Sequence, residues 1–279
     1  MKFLNLTALL MAAVLLAALI VAGCTTGPSQ PAATPTPTAV QQKELTVFAA
    51  ASLTGVVTEI AHDYELLHPG VKVVTNFDGS QALRTQIEQG AYADVFLSAN
   101  TKHMNALRDK GLMENASIGL FVKNKLAVIT PASNPANIHT LQNLSNPGVR
   151  LVIGTKDVPV GDYARQILTK MANDTAYGPS YQQAVLKNVI SEETTVTAVV
   201  AKVQLGEADA GIVYESDITP ENRNKFMIIA IPDKFNVIAE YPAGIVKDSR
   251  NKDEASRFID YLKSDPGRAT LVKFGFAMP

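Results

Sequence analysis

Leu45-Thr46-Val47-Phe48-Ala49-Ala50-Ala51-Ser52-Leu53 is the stretch on which the reading of this chain turns. Its apolar start suits a buried strand, and it opens into three alanines and a serine. Val56, Val57, Ile60, Ala61, Tyr64 and Leu67 then recur at alternating threes and fours until His68-Pro69-Gly70, which predicts a helix. Ser52 therefore stands near a helix N-terminus at the carboxyl end of a strand. Free backbone N–H groups and the positive end of the helix dipole make such a place an anion site. The same position also suits a plain helix cap, from Ser52 or Thr54. The junction gains weight because similar ones recur along the chain.

Outward from this stretch, strand and helix signals alternate. Val71 to Phe77 is rich in strand formers, and Asp78-Gly79-Ser80 turns it into a helix carrying Leu83 and Ile87 that ends before Gly90. Ala93 to Leu97 is a strand, His103 to Gly111 a helix with Met104 and Leu107 inward, and Leu126 to Ile129 a strand closed by Pro131. Val149 to Gly154 repeats the opening theme and leads through Asp157-Val158-Pro159-Val160-Gly161 into a helix with Ala164, Ile167, Leu168 and Met171 on one face. Thr194-Thr195 suits the cap of a helix beginning at Val196. Ala210 to Tyr214 is a short strand, Phe235 to Val246 a further strand region, and Ala255, Phe258, Ile259 and Leu262 mark a last helix. This alternation predicts an α/β fold with mostly parallel sheets, and its recurrence on either side of about residue 124 predicts two similar lobes.

The bulk composition narrows the function. The chain has 279 residues, 25 basic against 26 acidic, with no basic stripe, which argues against nucleic acid. Aromatic residues make up 6% and Trp is absent, so stacking platforms for bases or sugars are poorly supplied. The single cysteine, Cys24, follows a basic start at Lys2, an apolar core from Ala8 to Ile20 and the small-residue junction Val21-Ala22-Gly23. This is a secretory signal over residues 1–23, and it resembles the lipobox of exported lipoproteins, in which the cysteine is lipidated. An uncleaved membrane anchor is the alternative. Residues 24–43 carry Pro28, Pro31, Pro35 and Pro37 among Thr, Ala and Gln, and read as a flexible tether to the outer face of the membrane.

Enzyme signatures are missing. There is no Gly-x-Ser-x-Gly elbow, Walker loop, Gly-x-Gly-x-x-Gly turn or His-Glu-x-x-His pair. His62, His68, His103 and His139 fall on exposed-looking helix and loop positions and read as surface residues. What remains is a set of helix starts rich in small neutral residues, at Ser52, Ser80, Val160 and Val196. Hydroxyls and backbone N–H groups at such starts can hold a dianion without any arginine or lysine. Each start taken singly has a plain alternative: Ser80 could cap, and Val160 and Val196 could simply pack.

The opening run resembles that of the molybdate-binding proteins of molybdate ABC transporters. So do Asn76-Phe77-Asp78-Gly79-Ser80 with Gln86 to Ala91, Ala93 to Ala99, Asp157 to Ala164, Gly211-Ile212-Val213-Tyr214 with Ser216-Asp217, Glu240-Tyr241-Pro242 and Phe274-Gly275-Phe276. The similarity runs in matching order from about Glu44 to Phe276. It implies a two-lobed periplasmic-binding fold (type II), with lobe one over about 44–123 and 244–279 and lobe two over 124–243. It also implies an oxyanion held between the lobes. Ser52 and Ser80 would donate hydroxyl and amide hydrogens, Val160 and Val196 their backbone N–H groups, and Tyr214 its phenol hydroxyl. Asp78-Gly79 departs from the small neutral residues common at that place and reads as a turn-forming pair.

The expectation is an extracytoplasmic receptor, a monomer lipid-anchored through Cys24, that captures molybdate and also tungstate and hands it to an ABC permease. It needs no cofactor, and molybdenum or tungsten is bound only as the oxyanion. A receptor for sulfate or phosphate is the rival within this class. A hydrolase using Ser52 or Ser80 lacks a matching histidine, and a sensing module lacks a DNA-binding or kinase segment.

Overall fold

Alternating strands and helices pair into two five-stranded sheets in a computed structural model that describes residues 42–279. The expected signal segment, Cys24 and nearly all of the tether lie outside those residues. The first half runs β1 (Lys43–Ala50), a 3₁₀ turn at Ala51–Leu53, α1 (Thr54–Leu67), β2 (Val71–Asp78), α2 (Ser80–Glu88), β3 (Val95–Leu97), α3 (Thr101–Asp109) and β4 (Gly119–Asn124). Then come β5 (Leu126–Pro131), β6 (Leu151–Gly154), α4 (Pro159–Ala172), α5 (Tyr181–Lys187), β7 (Val189–Glu193), α6 (Val196–Gln204), β8 (Ala210–Tyr214) and β9 (Phe226–Ala230). The chain ends through β10 (Ala239–Ile245), α7 (Lys252–Lys263) and α8 (Asp265–Lys273).

The first sheet has the order β2-β1-β3-β10-β4 and the second β7-β6-β8-β5-β9. In each, the three strands at one side are parallel and the fourth position is filled by a reversed strand, β10 in one and β5 in the other. The expectation of mostly parallel sheets therefore holds with one antiparallel strand per sheet. The chain leaves the first sheet between β4 and β5 and returns between β9 and β10. Because Ala239 already pairs with Asn124 of β4, residues 239–243 belong with the first sheet, earlier than the boundary at 244 read from sequence. The expected strand region from Phe235 likewise shortens at its start: residues 233–235 form a turn, and Phe235 packs into the core.

Burial explains why these segments take these shapes. Leu45, Val47 and Ala49 are fully buried in β1, and α1 turns Val56, Val57, Ile60 and Tyr64 onto the sheet. Each large apolar side chain so withdrawn contributes about 1.5–3 kcal/mol. Asp94, fully buried at the entry to β3, accepts hydrogen bonds from the Thr46 N–H (2.8 Å), the Tyr92 hydroxyl (2.6 Å) and the Ser249 hydroxyl (2.6 Å). One carboxylate thus fastens the C-terminal return of the chain to the middle of the first sheet. In the second sheet, Gly161 lets α4 sit directly on the end of β6: a Cβ there would lie 2.0 Å from the Thr155 carbonyl and 2.3 Å from that of Gly154.

Candidate functional site

The carboxyl ends of the central strands of both sheets face one another across a small cavity. Ala50, Ala51, Ser52, Gly79, Ser80 and Ala99 line it from the first sheet's side, and Val158, Pro159, Val160, Val196 and Tyr214 from the second's. All five residues expected from sequence to bind an anion meet there. The space amounts to about 10 Å³ for the centre of a water-sized sphere, room for one small ion rather than a sugar or peptide. Among the described residues, no charged side chain lines it.

Local structure leaves hydrogen-bond donors at the wall. Ser80 is the first residue of α2 and Val196 of α6; Val160 is the second of α4, behind Pro159, which has no N–H. First-turn N–H groups have no partner within their own helix. Each helix start carries on the order of half a positive charge. These three starts, with the 3₁₀ turn at Ser52 that leads into α1, together approach the order of a dianion's charge.

The hydroxyls are not spent on capping. Neither Ser52 nor Thr54 caps α1: Thr54 Oγ1 donates to the Ala51 carbonyl (2.7 Å), and Ser52 Oγ lies 3.0 Å from Tyr241 Oη. Ser80 Oγ accepts the Ala99 N–H at 3.0 Å, which leaves its own hydrogen free to donate. At the α6 start the expected cap is present, supplied by Thr195, whose hydroxyl oxygen accepts from the Ala198 N–H (3.3 Å). Asp78 and Gly79 do not form the expected turn: Asp78 ends β2 and Gly79 precedes α2 with extended backbone, while the Asp78 carboxylate accepts the Gly79 N–H (2.7 Å) and is not part of the cavity wall.

Two residues sharpen this picture beyond what periodicity could offer. Asn124 Oδ1 accepts the Lys125 N–H (2.9 Å), which orients the amide so that Nδ2 donates to Ser216 Oγ (2.7 Å) and, more weakly, to Tyr241 Oη (3.4 Å). Tyr241, fully buried, can then pass its hydroxyl hydrogen to Ser52, freeing the Ser52 hydrogen for the cavity. The only sequence signal for Tyr241 was its place in the Glu240-Tyr241-Pro242 match.

Tyr214 is the decisive group. It is 1% exposed, and among the described residues its hydroxyl has no hydrogen-bond partner. Burial drives its pKa well above the ordinary tyrosine value, with Tyr241, Tyr163 and Asp217 adding to the rise, so it stays a donor. Behind it, Asp217 Oδ2 accepts the Tyr214 N–H (2.9 Å). Burial pushes the Asp217 carboxyl up to about 7 although that N–H favours the charged form. Asp217 also lines a wider cavity of about 180 Å³ adjoining Ala51 and Ser52.

One expectation is overturned. His103 is not a surface residue: it is 2% exposed, and its Nε2 lies 3.0 Å from the Asp157 carbonyl. Burial lowers its pKa to about 4, helped by the nearby cations of Arg84 and Lys102, so the imidazole is neutral. Its helix face looked polar in sequence because the surface covering it comes from the other sheet's loops.

Residues 45–277 match the family model described as bacterial extracellular solute-binding protein. The chain belongs to that family. It is a solute-binding receptor and not an enzyme. It is 34% identical to the molybdate-binding protein ModA of Mycobacterium tuberculosis over 279 residues, the whole of both chains. It is 32% identical to a putative ABC transporter substrate-binding lipoprotein, YvgL, of Bacillus subtilis, covering 95% of each. Among solved structures it resembles the substrate-binding domain of a putative molybdenum ABC transporter from Clostridium difficile, at 31% identity and a TM-score of 0.63, covering 85% of this chain and 99% of that one. The two-lobed α/β architecture expected from sequence is that of this receptor.

Proposed function

We propose that this receptor captures molybdate, and tungstate with it, in the cavity between its two sheets and delivers it to an ABC permease. The observation that carries the reading is the Tyr214 hydroxyl, buried and without a hydrogen-bond partner among the described residues, on the wall of a cavity that none of their charged side chains lines. Ser52 and Ser80 donate hydroxyl hydrogens to the oxyanion, Val160 and Val196 their N–H groups, and Tyr214 its phenol. A fully deprotonated tetrahedral dianion needs only donors. Monohydrogen phosphate also needs an acceptor, and the nearest carboxylate in sequence, Asp78, is turned onto Gly79. The relatives, a molybdate-binding protein in one case and the substrate-binding domain of a putative molybdenum transporter in the other, support this choice.

In the same proposal, residues 1–23 are the export signal and Cys24 carries the lipid that holds a monomeric receptor at the outer face of the membrane. Residues 24–43 give it reach. The lipoprotein name of the Bacillus subtilis relative agrees with such an anchor. The lobes then comprise the first sheet with its helices and the second with its own, hinged where the chain crosses between β4 and β5 and between β9 and β10.

Titration calorimetry of the protein with molybdate, tungstate, sulfate and phosphate tests the reading. Sub-micromolar binding of the first two with weak or no binding of the others is expected. Tight phosphate binding without molybdate binding would refute it.

A further inference from the structure

Two side chains cross from the first sheet's helices to the second lobe without lining the cavity. His103, the third residue of α3, is buried, and its Nε2 is 3.0 Å from the Asp157 carbonyl oxygen. A carbonyl only accepts, so Nε2 carries the hydrogen, and Nδ1 has no partner among the described residues. Gln81, the second residue of α2, donates from Nε2 to the Thr194 carbonyl at 3.0 Å. Asp157 lies three residues before Val160 and Thr194 two before Val196. Each second-lobe helix start on the cavity wall is therefore tied, just upstream, to the first lobe by one side-chain N–H.

A buried imidazole with an unpaired nitrogen is a poor choice for packing alone, since an aliphatic side chain would fill the place without that cost. The histidine makes sense if its N–H is needed by the opposite lobe. We propose that His103 and Gln81 form a clasp across the cleft, positioning residues that hold the α4 and α6 starts against the first lobe and so set how long an oxyanion stays bound. The inference rests on reading the cavity as the oxyanion site. Opening the cleft must break both bonds, whereas an anion entering an open cleft meets neither. The clasp therefore acts on dissociation and acts alike on every oxyanion the cavity holds.

The test is stopped-flow binding of molybdate and tungstate to the full chain, with small-angle scattering of the same proteins. His103→Leu and Gln81→Met should each speed dissociation of both anions by the same factor, about 3- to 10-fold, with association within twofold of the parent. His103→Gln, which keeps an N–H of similar reach, should recover most of the loss. Gln81 is only partly buried, so its variant remains informative if His103→Leu folds poorly. Unchanged dissociation in both variants overturns the clasp, as does a change in the ratio of the two anions. Should the parent bind neither anion, the functional reading fails and the clasp is judged by scattering. A larger radius of gyration in the variants supports it, and an unchanged one overturns it.

Discussion

At the scale of single residues, Tyr214 separates stability from binding. Its buried hydroxyl has no partner among the described residues, and leaving such a group unpaired costs about 1–3 kcal/mol. Tyr214→Phe should therefore leave the thermal midpoint unchanged or raise it, while weakening molybdate binding about 10- to 100-fold, the range for a hydrogen bond to a charged acceptor. Paired calorimetry and thermal melts check both signs at once; a lower midpoint with unchanged affinity would make the residue merely structural. Ser52 offers a contrast, because its hydroxyl is engaged by Tyr241 and its apparent cap role is absent. Sequence could place Ser52 and Tyr214 at the ends of strands β1 and β8. It could not orient them, since the relay from Asn124 through Tyr241 joins residues 117 and 189 positions apart in the chain.

At the scale of elements, glycine contacts divide into those within a lobe and those between lobes. Gly161→Ala drives a methyl into the Thr155 and Gly154 carbonyls, so α4 cannot seat on β6. The protein should lose several kcal/mol in urea unfolding. Gly79→Ala instead places a methyl 2.5 Å from the Thr194 carbonyl across the cleft, beside the flexible Gln81 amide. There the lobes can part slightly, so stability should hold while oxyanion affinity falls about 10-fold or more, read by calorimetry. Helices with a clear apolar face, α1, α4 and α6, were legible in sequence because burial follows a 3.6-residue period. Strand β7 was not: Val189 to Glu193 is an edge strand with three polar residues, and its pairing with β6 comes from the fold. Helix α8 was missed because Pro266-Gly267 looks like a breaker, whereas proline in a first turn is tolerated and Ser264 caps it from the Gly267 N–H.

At the scale of the whole molecule, two titrating groups, buried His103 and half-buried Asp217, pull in opposite directions. The folded pKa of His103, about 4, lies below its unfolded value of about 6.5. The unfolded chain then binds the extra proton between these values, so this contribution to stability is full above about 6.5 and is lost as pH falls toward 4, by up to about 3 kcal/mol. Asp217, raised to about 7, has the opposite sign: the folded state holds its proton, and the contribution is lost as pH rises from about 4 to 7. The difference in stability between the parent and His103→Leu cancels the Asp217 term and should move against the parent from pH 7 to pH 4.5 in urea titrations. Ionised Asp217 also stands behind Tyr214 and repels a bound dianion. Oxyanion affinity should fall as pH rises from 6 to 8, and Asp217→Asn should flatten that profile.

The uncharged lining of the cavity has a consequence for the receptor as a carrier. The helix dipoles in the wall carry no net charge, and removal of residues 1–23 with Lys2 takes the formal net charge from −1 to −2, so the receptor becomes a particle of about −4 once a dianion is enclosed. Dipoles at contact distance, unlike separated ions, are little affected by the roughly 8 Å screening length of physiological salt. Affinity should thus be nearly the same in dilute and in molar sodium chloride, while electrophoretic mobility rises on loading. The loaded receptor advertises itself by its own field, a difference in charge that a membrane partner can sense without touching the ion.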